Sequence, residues 1–450
     1  MILTTLLASS LSVGQITMEP CFVEGAKKAV ECSMLTVPES YQANNGKQVE
    51  VHVIRSKAVA NNNKAPLFVL AGGPGQAATE MTSTLANSFK EINKQHDIVF
   101  VAQRGSGLSN AQPCHHDTQV TTDELIAIFN ECHEKLKPIE EQLSTDTLAK
   151  DIESVRSALG YDKINLWGGS YGTYAAQHYA MTYSNNVSKM VLDAALAIDD
   201  NPLVEGGKYP QQSLERLDEV CQQDNHCAKH FPNWRAQFDE LLKTTDNSPI
   251  ILQFEKNDVS LDSMALAHLV RTVLYSPNVA NKLPKAIDAA YNGNYHMLKV
   301  LNSMISGAAT DTMYTGLTLG VLCQEHVYQG QSQAAKLAGK NSFTEDSYYQ
   351  FWLKACQTER VQQAESIKPP KQLATPTLLI SGTLDPITPE QSAERTRRYL
   401  TNTQHIIIPN ASHTNSHKGC MPELINEFLL NDEVADTSCI TQNRFPPFLK

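Results

Sequence analysis

Apolar and polar positions follow different rhythms in different parts of the chain. "VEVHVIRS", Val49 to Ser56, alternates the two kinds, the period of two that a strand with one covered face requires. "APLFVLAGGPG" (Ala65 to Gly75), "HDIVFVAQRGSGLS" (His96 to Ser109), "YDKINLWGGSYG" (Tyr161 to Gly172) and "VSKMVLDAAL" (Val187 to Leu196) are built instead on continuous apolar runs. Such runs suit strands covered on both faces of a parallel sheet. Helical segments lie between them. "TLAKDIESVRSALG" carries Leu148, Ile152, Val155 and Leu159 on one stripe and ends at Gly160. "GTYAAQHYAMTY" follows Ser170. This strand–helix alternation predicts an α/β fold, a mostly parallel central sheet with helices on both faces.

From about Asp199 to Lys368 the pattern turns mostly helical, as in "DSMALAHLVRTVLYS" and "NKLPKAIDAAYNG". The sheet rhythm resumes at "TPTLLISGTLDPITP" (Thr375 to Pro389) and "QHIIIPNASHTNS" (Gln404 to Ser416), with room for a helix over Pro389 to Leu400 between them. The expected organisation is a core of residues 15–198 and 369–450, with residues 199–368 inserted between late strands as a helical lid. Residues 1–14 read as a signal peptide. Ile2 to Val13 is a short apolar run, and Ser12-Val13-Gly14 is a small-x-small cleavage pattern, although the usual positive start is missing. The run is too short to span a membrane.

Composition narrows the classes. At 450 residues, 41% hydrophobic and 19% charged, the chain has ample material for a large core plus an insertion. A net charge of −11 with no Lys/Arg-rich run argues against a nucleic-acid partner. The ten cysteines fall in sequence-close couples: Cys21/Cys32, Cys114/Cys132, Cys221/Cys227, Cys323/Cys356 and Cys420/Cys439. An even number in local couples reads as a disulfide framework made in an oxidising compartment, nearest-neighbour pairing being the simplest connectivity. Zinc is the competing reading, but there is no C-x-x-C pair.

Gly168-Gly169-Ser170-Tyr171-Gly172 fits G-x-S-x-G with a strand before it and a helix after it. A sharp strand-to-helix turn crowds the serine's neighbours, so only small residues two positions away fit. The turn lifts the hydroxyl clear of the sheet, beside a helix N-terminus whose free amides stabilise negative charge. A hydroxyl needs a base, and the base an orienting carboxylate. Asp385 stands in the turn after one late strand, and His413 in the loop after the next, giving the order Ser170, Asp385, His413. The bland alternatives are a turn former before Pro386 and a surface histidine. The Tyr171 amide and an amide of "AGGPG", Gly73 by preference, would receive the oxyanion. His413 and His417 are spaced i, i+4, but no H-E-x-x-H helix accompanies them, so neither a metal nor another cofactor is expected.

With these residues in view, the chain resembles the α/β-hydrolase peptidases of the prolyl and tripeptidyl aminopeptidase family, particularly secreted members with a tripeptidyl-aminopeptidase-like C-terminal region. "GGPG", "QRGSGLS", "GGSYG", "SGTLDPITP" and "NASHTN" match the family's motifs in order, and "LTLGVLCQEH" resembles part of its lid. Three positions depart: Ala71 before GGPG, Ala102 before Gln-Arg-Gly, and no Trp-Pro after Cys356. The resemblance implies an α/β-hydrolase fold and a secreted or periplasmic serine exopeptidase. Its partners would be peptides with a free N-terminus, and Glu325 of "CQEH" matches the position that would hold their α-ammonium. An esterase or lipase-like hydrolase on the same triad, and a non-catalytic binding protein of the same fold, are the alternatives.

Overall fold

The computed structural model describes residues 16–43, 46–114, 121–255, 258–310, 313–327, 330, 339–356 and 370–450, with side chains left aside at 306–310. The expected signal peptide, 1–14, lies outside the described residues. The strands are β1 (Glu19–Cys21), β2 (Val30–Pro38), β3 (Gln48–Ser56), β4 (Leu67–Leu70), β5 (Ile98–Val101), β6 (Ile164–Gly169), β7 (Val187–Asp193), β8 (Ile250–Leu252), β9 (Val259–Leu261), β10 (Thr377–Gly382) and β11 (Thr403–Ile408). One sheet runs in the order β1-β2-β3-β5-β4-β6-β7-β10-β11. From β5 to β11 every neighbouring pair is parallel, while β1, β2 and β3 form an antiparallel flank.

The apolar runs are explained by this placement. Along β4, Leu67 and Val69 face one core while Phe68 and Leu70 face another, and all four are buried. Successive side chains of a strand point to opposite faces, so a strand covered on both sides has no polar position to spare. The Thr145–Ala158 helix covers one face. Its Leu148, Ile152 and Val155 are buried, Ser144 caps its first turn, and Gly160, at φ +75°, ends it just past the last turn.

The stretch between β7 and β10 is less uniform than the helical pattern implies. It holds the antiparallel pair β8–β9 among its helices. Its residues 214–301 share a core of their own, whereas Leu317–Val327 and Tyr349–Cys356 belong to the core on one face of the main sheet. The helix expected over Pro389 to Leu400 is shorter, Glu390–Thr396. All ten cysteines pair with their sequence neighbours, with Cα–Cα distances between 5.2 and 6.5 Å, inside the range a disulfide tolerates. Among the described residues no helix is long and apolar enough to cross a membrane.

Candidate active site

The parallel strands end along one rim, and the loops leaving β4, β6, β7, β10 and β11 meet there. At the end of β6, Ser170 adopts φ 56° and ψ −123°, and the Tyr171–Thr182 helix begins at the next residue. This is a sparsely populated conformation for a residue with a side chain and stores about 1–3 kcal/mol. The surroundings hold it: the Ser170 amide donates to the Asp193 carbonyl at 2.9 Å, and the Thr173 amide and hydroxyl donate to the Ser170 carbonyl at 2.8 and 2.6 Å. The two flanking glycines are sterically required. A methyl group at Gly168 would collide with the Gly172 carbonyl, and one at Gly172 with the carbonyls of Leu70 and Ala71.

The loop after β10 turns around Asp385, which is buried. Its carboxylate accepts from the Ile387 amide at 2.8 Å, the Thr388 amide at 3.0 Å and the Thr388 hydroxyl at 3.1 Å. Its other partner is His413 Nδ1, at 2.9 Å. Burial alone would push this carboxyl up, but the His413 imidazole and the amides together hold it below the usual carboxylate value. Held by Nδ1, the ring has its Nε2 free for other chemistry, and Tyr275 of the insertion packs against its edge with centroids 5.2 Å apart. Ser412 steadies the same loop by donating to the carbonyls of Leu274 and Leu384 at 2.7 and 3.2 Å. Among the described residues no hydrogen bond joins the Ser170 hydroxyl to His413. Such bonds are often long without substrate and tighten in the complex.

Asp193 ties the nucleophile's turn to the histidine's loop, and sequence reasoning missed it. It closes β7 and is fully buried. While its carbonyl receives the Ser170 amide, its carboxylate receives the Asn415 amide at 3.0 and 2.7 Å and the Ser416 amide at 2.6 Å. Burial pushes its carboxyl up, against the pull of those amides. The Trp167 indole, on β6, donates to the Ser416 hydroxyl at 2.9 Å. In the sequence, an aspartate closing an apolar run looks like any turn former. The available signal was its position at a strand end on the same rim.

The "AGGPG" loop lies against the elbow: a methyl group at Gly72 would come within 3.3 Å of Ser170 Cβ. Gly73 sits at φ +108°, a region that disfavours any residue bearing a side chain. From the insertion, the Thr318 hydroxyl donates to the Pro74 carbonyl at 2.6 Å and the Tyr314 amide to the Gly75 carbonyl at 2.8 Å. Tyr171 opens its helix, where amides have no acceptor within the helix. The loop that carries Gly73 thus lies against Ser170, and Tyr171 is the next residue along the chain.

Glu325 is placed differently from an open substrate contact. It is 1% exposed, and its two carboxylate oxygens receive the Thr145 amide and hydroxyl, both at 2.7 Å. The Thr145 hydroxyl also meets the Tyr171 hydroxyl at 2.8 Å. Burial pushes the Glu325 carboxyl up, with Thr145 opposing. In this geometry Glu325 braces the start of the Thr145–Ala158 helix behind the elbow.

Residues 65–248 match the family profile described as alpha/beta hydrolase fold, and residues 341–439 the one described as TAP-like protein. The fold is thus that of an α/β hydrolase, with a TAP-like stretch in the later part of the chain. Among curated relatives, a putative hydrolase, YuaR, of Escherichia coli (strain K12) is 25% identical over 55% of this chain and 56% of its own length. A tripeptidyl aminopeptidase of Streptomyces lividans is 25% identical over 40% of this chain and 38% of its own length. The chain thus spans about half or less of these two relatives. The serine protease Hip1 of Mycobacterium tuberculosis (strain ATCC 25618 / H37Rv) is 23% identical over 89% of this chain and 85% of its own length.

Proposed function

We propose that this protein is an exported serine exopeptidase that cuts peptide bonds near the free N-terminus of peptides. The observation that carries the reading is the pairing of a strained serine elbow with an Asp385–His413 pair, both tied to Asp193. In this reading Ser170 attacks the scissile carbonyl while His413 Nε2 takes the hydroxyl proton. The tetrahedral oxyanion settles on the amides of Gly73 and Tyr171. His413 then returns the proton to the leaving amine, and the acyl-enzyme forms as the C–N bond breaks. Water, deprotonated by His413, attacks the ester, and Ser170 recovers its proton as the acid leaves. Asp385 holds the imidazole in the tautomer that presents Nε2 and stabilises the transient imidazolium.

Export is supported by the five disulfides, which a reducing cytosol would not maintain. The peptide class is supported by the relatives, a tripeptidyl aminopeptidase and a serine protease among them. A panel of aminoacyl- and peptidyl-coumarins, each with a free and a blocked N-terminus, tests the reading. Turnover of free-N-terminus peptides that blocking abolishes is expected. Turnover of short acyl esters alone would establish the esterase alternative instead. Ser170→Ala should keep the fold, lose fluorophosphonate labelling and lose at least about 10⁴-fold in kcat. Full peptidase activity in that variant would end the proposal.

A further inference from the structure

Arg271 lies on the Ser263–Val273 helix of the insertion and is 7% exposed. A guanidinium taken out of water normally holds a carboxylate, because its desolvation is otherwise uncompensated. Arg104, also buried, follows this rule with two 2.7 Å bonds to Asp151 and further bonds to the carbonyls of Pro38 and Glu39. Arg271 does not follow it. Among the described residues no carboxylate lies within 4.0 Å of it, and its Nε is enclosed without a hydrogen-bond partner. Its surroundings are aromatic. The guanidinium carbon is 4.0 Å from the ring centroid of Tyr348 and 5.8 Å from that of Tyr275.

Tyr275 is also the ring that packs on His413, 5.2 Å away. The two legs in series put the guanidinium within about 11 Å of the imidazole. An extended peptide advances about 3.3–3.6 Å per residue, so a carboxylate up to about three residues from the scissile bond reaches Arg271. Stacking on Tyr348 fixes the plane of the fork, both tyrosine hydroxyls interact with it as well, and a guanidinium held in one plane suits a planar anion at its N–H edges.

We propose that Arg271 is the seat of a substrate carboxylate, held on Tyr348 and joined to the catalytic histidine through Tyr275. The proposal rests on the peptidase reading above and adds to it a preference for anionic substrates. The carboxylate has two sources, the free C-terminus of a short peptide or an acidic side chain near the cut.

The test compares kcat/KM within matched pairs, with cleavage read by mass spectrometry. One arm pairs short peptides ending in a free carboxylate with their C-terminal amides. The other exchanges Glu for Gln at each of the three positions on either side of the cut. The expected result is a preference of about tenfold or more for the charged partner in one arm. That ratio should fall towards one in Arg271→Gln and be partly retained in Arg271→Lys, which keeps the charge but not the fork. A wild-type ratio near one in both arms overturns the proposal whether or not the variants fold. So does a ratio that Arg271→Gln leaves intact. Should the enzyme cleave only esters, mono-4-nitrophenyl glutarate against 4-nitrophenyl butyrate poses the same question. The exopeptidase reading would then have failed while the Arg271 ratio still decides.

Discussion

Asp193→Asn isolates the tie between the serine elbow and the histidine loop. The side chain keeps its size, and the main-chain carbonyl that receives the Ser170 amide is untouched. What changes is the acceptor for the amides of Asn415 and Ser416. One oxygen survives, while the new NH₂ group faces a backbone N–H in a fully buried site. A hydrogen bond to a charged group contributes about 1.5–3 kcal/mol, and a buried donor left unpaired costs about 1–3 kcal/mol. Together these predict a loss of about 2.5–6 kcal/mol, a large share of an ordinary stability of about 5–15 kcal/mol. The loosened segment carries His413, so kcat should fall about 10²-fold while KM changes little. Fluorophosphonate labelling of Ser170 should slow in parallel. The assay is labelling rate and steady-state kinetics at 25 °C, beside a urea denaturation midpoint. A variant with unchanged kcat and midpoint, or one whose KM rises while kcat holds, would refute the role given to Asp193.

Other outcomes follow from the same contacts. Gly172→Ala should fail to give soluble, folded protein, because the added methyl meets backbone carbonyls of β4 that cannot move without breaking the sheet; folded, active protein would show that the elbow has more room than described. Glu325→Gln should be less stable than wild type at low pH, where the protonated acid still serves Thr145. It should keep the wild-type preference for free over blocked N-termini, and a KM defect for free N-termini that erodes this preference would restore the α-ammonium role. Because burial raises the folded-state pKa of Glu325, the native protein holds this proton more tightly than the unfolded chain. Wild type should therefore lose stability relative to Glu325→Gln as pH rises through and above the ordinary glutamate value of about 4.3. Denaturation midpoints between pH 4 and 8 read this directly, and a difference that grows in the opposite sense would contradict it.

Local rules account for what was legible in the sequence. The elbow is written in five residues, since the collision that excludes a side chain at 168 or 172 is a short-range property of the turn and the strand beside it. Asp385 and His413 were legible through chain order and their places after apolar runs. Disulfide pairing was legible because the couples are close along the chain. β2 was missed because only Val30, Leu35 and Val37 of its nine residues are buried, which leaves no clear alternation. The parallel strands could be expected from their apolar runs, but the antiparallel flank could not. Pairing partners are chosen by the sheet as a whole.

The sequence by itself determined which residues could do chemistry here and the class of sheet that would carry them. Tertiary structure decided how those residues are held and what else reaches them. Asp193 meets the loop of His413 across 222 residues of chain, Glu325 turns to Thr145 across 180, and Arg271 stands between two tyrosines with no acid beside it. Each outcome depends on which groups share a buried volume. Hydrogen bonding and desolvation act through space, so distance along the chain carries no record of them.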